Sequence, residues 1–239
     1  MEAPFLSLIL PAHNEERRLL PALQAVHRFL STQTYTAEVL VVENGSQDDT
    51  LSIARGAAET FPEVQVLHEE RRGKGLAVRR GMLAARGAYR FFCDVDFSMP
   101  VEEINLFLPP KLDAEVAIAS REVPGARRIG EPLHRHVVGR AFNTLVRALL
   151  LPDLHDTQCG FKCFRGDVAE EVFSLQRLDG MSFDAEVLYI ARLHGHRIEE
   201  VPIPWIYNPD SRVRLVEDSL GMARDLLAIR RNARQGLYG

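Results

Sequence analysis

Two carboxylates two residues apart, Asp94 and Asp96, close an apolar run from Tyr89 to Cys93. Hard oxygen donors just past a buried strand suit Mg2+ or Mn2+, an ion that would bridge the phosphates of a nucleotide diphosphate. A polar loop ahead of a helix would have the same composition, so the motif draws its weight from its neighbours. Pro11, Ala12, His13, Asn14 and Glu15 end a first apolar run, Glu43-Asn44-Gly45-Ser46 a second, and Arg121 a later one. Glu15 and Glu43 offer acceptors for the hydroxyls or base of a nucleotide, or else cap helix N-termini. Arg71-Arg72-Gly73-Lys74-Gly75 opens a helical pattern with cations and flexible backbone, a combination that receives phosphate. It lacks the full Gly-x-x-x-x-Gly-Lys-Ser/Thr order of an NTPase loop. Asp48 and Asp49 read as caps of the following helix.

The elements that must position these groups alternate. Apolar, β-branched or aromatic runs at Phe5–Pro11, Ala37–Glu43, Val64–His68, Tyr89–Asp94 and Ala114–Ser120 read as buried strands. Helical periodicity falls between them at Glu15–Leu30, Asp49–Thr60 and Lys74–Arg86. Strand-helix alternation predicts an α/β protein with a mostly parallel sheet flanked by helices. Ligands of such sheets bind beyond the carboxyl ends of the strands, so the polar clusters are expected on one rim. The later chain adds a long amphipathic stretch at Leu133–Leu151, a strand at Phe161–Arg165, a helix at Phe183–Leu193, a strand at Ile198–Ile203 and a helix at Leu215–Ala233. No repeat or linker divides the chain. Residues 1–239 are expected to form a single domain, with a nucleotide-sugar and metal half to about residue 121 and an acceptor half from about 122.

The 239 residues carry a net charge of -4, which excludes a dedicated nucleic-acid binder. Three cysteines and no apolar secretory segment point to a reducing, cytoplasmic setting. The longest apolar runs fall well short of the roughly 20 residues that span a bilayer. Leu133–Leu151 reads equally as a helix lying in a membrane interface or as a core helix with solvated cations.

Pro11-x-x-Asn14-Glu15, Val42-Glu43-Asn44-Gly45-Ser46, Lys74-Gly75-x-Ala77-Val78-x-x-Gly81 and Asp94-x-Asp96 together resemble the family 2 glycosyltransferases of GT-A, Rossmann-like fold. Asp156-Thr157-Gln158-Cys159-Gly160-Phe161-Lys162, Phe183-Asp184-x-Glu186, Val201-Pro202-Ile203-Pro204-Trp205 and Ser211-Arg212-Val213 look like the dolichyl-phosphate β-glucosyltransferases, with dolichyl-phosphate mannose synthases similar. The resemblance implies that Glu15 and Glu43 hold the nucleotide, that Asp94 and Asp96 hold the metal, and that Arg121 lies near the diphosphate. It also implies that Asp156, Gln158, Lys162, Asp184 and Glu186 lie near the transferred sugar and acceptor, with Arg212 near phosphate. Glu43 stands where the family often has Asp, and His13 where it often has Tyr or Phe.

The implied reaction is an inverting transfer of a hexose, glucose from UDP-glucose or mannose from GDP-mannose, to a polyprenyl phosphate at a membrane surface. A phosphate acceptor needs no strong base and leaves Asp184 an orienting role; a soluble alcohol acceptor makes it the candidate base. A catalytically silent nucleotide-sugar binder is the reading from another class.

Overall fold

Alternate residues of one strand face opposite ways, and here both ways are buried. In β1 (Leu6–Ala12), Leu6, Leu8 and Leu10 join one core while Ile9 joins the other. Val39 and Val41 of β2 (Ala37–Asn44) and Phe91 of β4 (Tyr89–Cys93) side with the first; Leu40, Val42 and Phe92 side with the second. A strand buried on both faces must be covered by helices twice over. The first core packs α1 (Leu19–Leu30), α2 (Thr50–Thr60) and a 3-10 helix at Val101–Phe107. The second packs α3 (Lys74–Ala84), α5 (Gly166–Leu175) and α6 (Phe183–Leu193).

This computed structural model describes residues 3–96, 98–208 and 215–239, without the side chains of His134, Arg135 and 215–220. With β3 (Val64–Glu69), β5 (Val116–Ser120), β7 (Phe161–Arg165) and β8 (Ile198–Pro202), the main sheet runs β3-β2-β1-β4-β7-β5-β8. Strands from before and after residue 121 share it. A small parallel pair, β6 (Arg127–Ile129) with β9 (Pro204–Ile206), stands beside it. The helices α4 (Leu133–Leu149) and α7 (Leu215–Arg234) pack together. Among the described residues no helix is long and apolar enough to cross a membrane.

Several boundaries and one direction differ from the sequence expectation. α1 begins at Leu19 rather than Glu15, because residues 15–18 are held in a turn by Asp48 and Thr50. Asp49 makes no capping bond to α2; the Thr50 amide donates to Asp48 instead. β6, β9 and α5 have no counterpart in the sequence reading. β7 enters antiparallel between β4 and β5, whereas the neighbouring pairings of β1, β2, β3, β4 and of β5 with β8 are parallel. An apolar run encodes burial but not direction, and the reversal has a structural effect. It brings the loop before β7 to the rim where β4 and β5 end.

Candidate active site

The rim beyond β1 and β2 is built by two loops that bond to each other. Past the last residues of β1, Pro11 and Ala12, Asn14 adopts a positive φ of 54°. Its amide donates to Ser46 Oγ, and its side-chain oxygen accepts from the Gln47 amide. The Glu15 amide donates to Thr50 Oγ1 at 2.6 Å, while the Glu15 carboxylate takes a fork of bonds from Arg18 at 2.6 and 2.8 Å. His13 Nδ1 donates to the Asn44 carbonyl. Gly45 turns the β2 loop at φ 66°, where a Cβ would lie 2.8 Å from the Glu70 carbonyl.

Glu43 is fully buried, register partner of Ala12 on one side and His68 on the other. Its two oxygens accept from the Ser46 amide at 2.6 Å and from His68 Nδ1 at 2.5 Å. Burial would raise its pKa, but the bonds from Ser46 and His68 together prevail and hold it below the usual carboxylate range. His68 is a partner the sequence reading missed; only the β2–β3 register brings it to Glu43.

Past β4, Asp94 and Asp96 stand at the rim as expected. Lys74 Nζ contacts Asp94 at 2.6 Å. Burial alone would lower the Lys74 pKa, but Asp94, Asp184 and Asp96 together raise it. Burial, and then the charge of Asp94, push the Asp96 carboxyl up. Like charges crowded together in this way favour a cation between them. At Gly160 a Cβ would overlap the Asp94 carboxylate, so the loop before β7 leaves that carboxylate room only by lacking a side chain. Two neighbouring carboxylates suit Mg2+ or Mn2+, whose remaining ligands would come from diphosphate and water. No group of three or more His, Cys, Asp or Glu placed to hold a metal occurs among the described residues.

The loop before β7 and the start of α6 supply two further charge pairs. Lys162, fully buried on β7, binds the Cys159 carbonyl at 2.5 Å and pairs with Asp184 in the first turn of α6. Burial raises the Asp184 carboxyl despite the attraction of Lys162 and Lys74. Arg121, just past β5, grips Asp156 with two parallel bonds of 2.6 and 2.9 Å and a third from its own amide. Burial opposes the Asp156 charge, but Arg121 overcomes it and brings the pKa down to about 2. The Gln158 amide also donates to Asp156, and the Arg121 guanidinium lies over the Trp205 ring at 5.4 Å. Cys159, in the same loop between Asp156 and Lys162, is buried, and burial pushes its thiol up to about 12.

The structure thus brings together Lys74, Asp94, Asp96, Asp184, Lys162, Arg121, Asp156 and Gln158. It uses Glu186 differently from the acceptor-side expectation: its buried carboxylate accepts from the Arg177 and Leu178 amides and the Tyr238 hydroxyl. Gly75 is packed so closely that a Cβ would lie 2.5 Å from the Leu178 carbonyl. Arg212 lies outside the described residues.

A mostly parallel sheet with helices on both faces and an acidic pair at the carboxyl rim has the architecture of the GT-A fold. Solved structures of glucosyl-3-phosphoglycerate synthase from Mycobacterium tuberculosis share it. One in complex with UDP matches with a TM-score of 0.68 at 21% identity, over 95% of this chain and 78% of that one. Another, holding Mn2+, UDP and glucosyl-3-phosphoglycerate, matches with a TM-score of 0.68 at 20% identity, over 98% and 80%. In sequence, the chain is 35% identical to a dolichyl-phosphate beta-glucosyltransferase of Drosophila melanogaster over 94% of this chain and 74% of that protein. The human protein of that name is 30% identical over 94% and 74%. Residues 7–173 match the model of glycosyl transferase family 2, and the chain belongs to that family.

Proposed function

We propose that the chain is an inverting glucosyltransferase that moves glucose from UDP-glucose onto a phosphate-bearing acceptor, with Mg2+ or Mn2+ held by Asp94 and Asp96. The observation that carries the reading is the set of three ion pairs at the rim, Lys74 with Asp94, Lys162 with Asp184 and Arg121 with Asp156, with Asp96 next to the first of them. A nucleotide sugar reacts when its diphosphate leaves, and the bound ion supplies charge neutralisation there. Lys74, at the N-terminus of α3, adds a cation and backbone amides for the same phosphates. Arg121, held in one orientation by Asp156 and Trp205, presents its remaining N–H groups to an anionic group of donor or acceptor. Glu43 and Glu15 lie on the nucleotide side.

The relatives named for transfer to dolichyl phosphate support a lipid phosphate as acceptor, the expectation from sequence. The solved neighbours widen it, since one holds Mn2+, UDP-glucose and phosphoglyceric acid together, and a soluble phosphorylated acceptor has the better support. In both cases the acceptor oxygen forms a bond to the sugar C1 as the bond from C1 to the diphosphate oxygen breaks, its electron pair leaving with UDP. With a hydroxyl acceptor, Asp184 takes the proton, a role that its raised pKa favours; with a phosphate acceptor the oxygen is already anionic.

The test incubates the purified protein with Mn2+ or Mg2+ and UDP-glucose, with GDP-mannose in parallel. Phosphoglyceric acid is offered in water and a short polyprenyl phosphate in detergent, and both phases are analysed by mass spectrometry. Glucosylated product in one phase, dependent on UDP-glucose and reduced about 100- to 1000-fold in Asp96→Ala, is the expected result. Absence of UDP binding and of turnover with either donor overturns the reading.

A further inference from the structure

The Lys74 loop does not stand by itself. Its backbone is seated on residues 176–180. The Leu76 amide donates to the Asp179 carbonyl, Gln176 Nε2 donates to the carbonyls of both Gly75 and Leu178, and a Cβ at Gly73 would lie 2.6 Å from the Asp179 carbonyl. Arg79 of α3 ties down the same segment through the Gln176 carbonyl at 2.9 Å. Whatever fixes residues 176–180 therefore fixes the height of the Lys74 backbone at the rim.

That anchor is Glu186, fully buried on α6. One of its oxygens accepts the Arg177 and Leu178 amides at 3.1 and 2.8 Å, and the other accepts the Tyr238 hydroxyl at 2.6 Å. Tyr238 is itself 1% exposed. It is clasped at both ends. His194 Nε2 donates to its carbonyl at 2.6 Å, Asn232 Nδ2 donates to its hydroxyl at 3.2 Å, and the Arg177 guanidinium binds the adjacent Leu237 carbonyl at 3.2 Å. A buried carboxylate that loses a donor is left under-solvated and relaxes by moving, and among the described residues the remaining bonds of Glu186 outside α6 come from the Arg177 and Leu178 amides.

We propose that Tyr238 is a positioning residue for the donor diphosphate, acting through Glu186 and residues 176–180 on the Lys74 loop. The proposal rests on the reading that this loop receives the diphosphate. It gives the segment after α7 a part in donor binding through Glu186 and residues 176–180. It also separates the two acids of Phe183-Asp184-Ala185-Glu186: Asp184 faces the site and Glu186 sets the loop beside it.

The experiment compares Tyr238→Phe, Glu186→Gln, Glu186→Ala and wild type by titration calorimetry with UDP and Mn2+, by steady-state kinetics, and by hydrogen exchange at the Leu76 amide. Tyr238→Phe removes one hydroxyl and keeps the ring. It is expected to weaken UDP binding and raise the KM for UDP-glucose by about 3- to 10-fold, with kcat and the acceptor KM within about twofold. Exchange at Leu76 is expected to accelerate. Glu186→Gln, which keeps one acceptor oxygen for the two amides, is expected to bind UDP better than Glu186→Ala. Normal UDP affinity and normal Leu76 exchange in folded Tyr238→Phe and Glu186→Gln would overturn the proposal, as would a loss shared equally by donor and acceptor KM. Failure of the underlying donor reading has a different signature, absence of UDP binding by the wild type.

Discussion

The rim beyond β1 and β2 and the exposed face of α4 are opposites. On the rim, the loops bond to one another and the buried Glu43 has partners for both oxygens. On α4, Leu133 is 77% exposed and Val137 58%, and Val146 is the fully buried member of the apolar side. The contrast teaches where recognition is prepared in advance. Rigid, mutually satisfied loops present a fixed set of donors and acceptors to a ligand at little ordering cost. An uncovered apolar face prepares nothing by itself and contributes little to the stability of the chain.

If that contrast is right, the largest effect comes from breaking the buried pair behind the rim. Lys162→Met leaves Asp184 uncompensated in the core and is expected to cost about 3–5 kcal/mol in urea unfolding. Adding Asp184→Leu removes the lone charge and is expected to restore most of the stability while glucosyl transfer stays lost. Recovery of turnover in the double variant would show that the pair holds structure only.

A smaller effect follows from pH. Asp156 has a folded pKa of about 2, below the roughly 3.9 of an unfolded chain. Its contribution, about 2 kcal/mol, is therefore fully present above pH 4 to 5 and is lost as pH falls through about 2. Asp156→Asn should flatten the acid limb of a stability-against-pH curve, and an unchanged limb would place the acid sensitivity elsewhere.

The smallest effect belongs to α4. Leu133→Gln with Val137→Gln is expected to shift unfolding by no more than about 0.5 kcal/mol each, because these side chains are already in water. Transfer to a soluble acceptor should be unchanged. A large loss of stability would mean that α4 is covered in solution, and the comparison with the rim would fail.

Much of this was legible before any coordinates. The strand runs, the Asp94-x-Asp96 motif and Lys74 at a helix start are local patterns, and each side chain stands near the expected rim. The partners were not legible. Arg121 and Asp156 lie 35 residues apart, and nothing in their spacing announces a fork of bonds between them. Glu43 finds His68 only through strand register, and Glu186 is turned inward because Tyr238 and the 177–178 amides fill the space around it.

Sequence alone determined which residues are buried on both faces of a sheet and which polar groups follow each strand, because hydrophobic periodicity and turn chemistry are properties of neighbours in the chain. Only the tertiary structure decided that β7 runs antiparallel, which carries Asp156, Gln158 and Gly160 to the same rim as Asp94. It also decided which carboxylates are spent on internal partners and which face the site. Both depend on contacts between distant segments, and those exist only once the two cores have closed on the sheet.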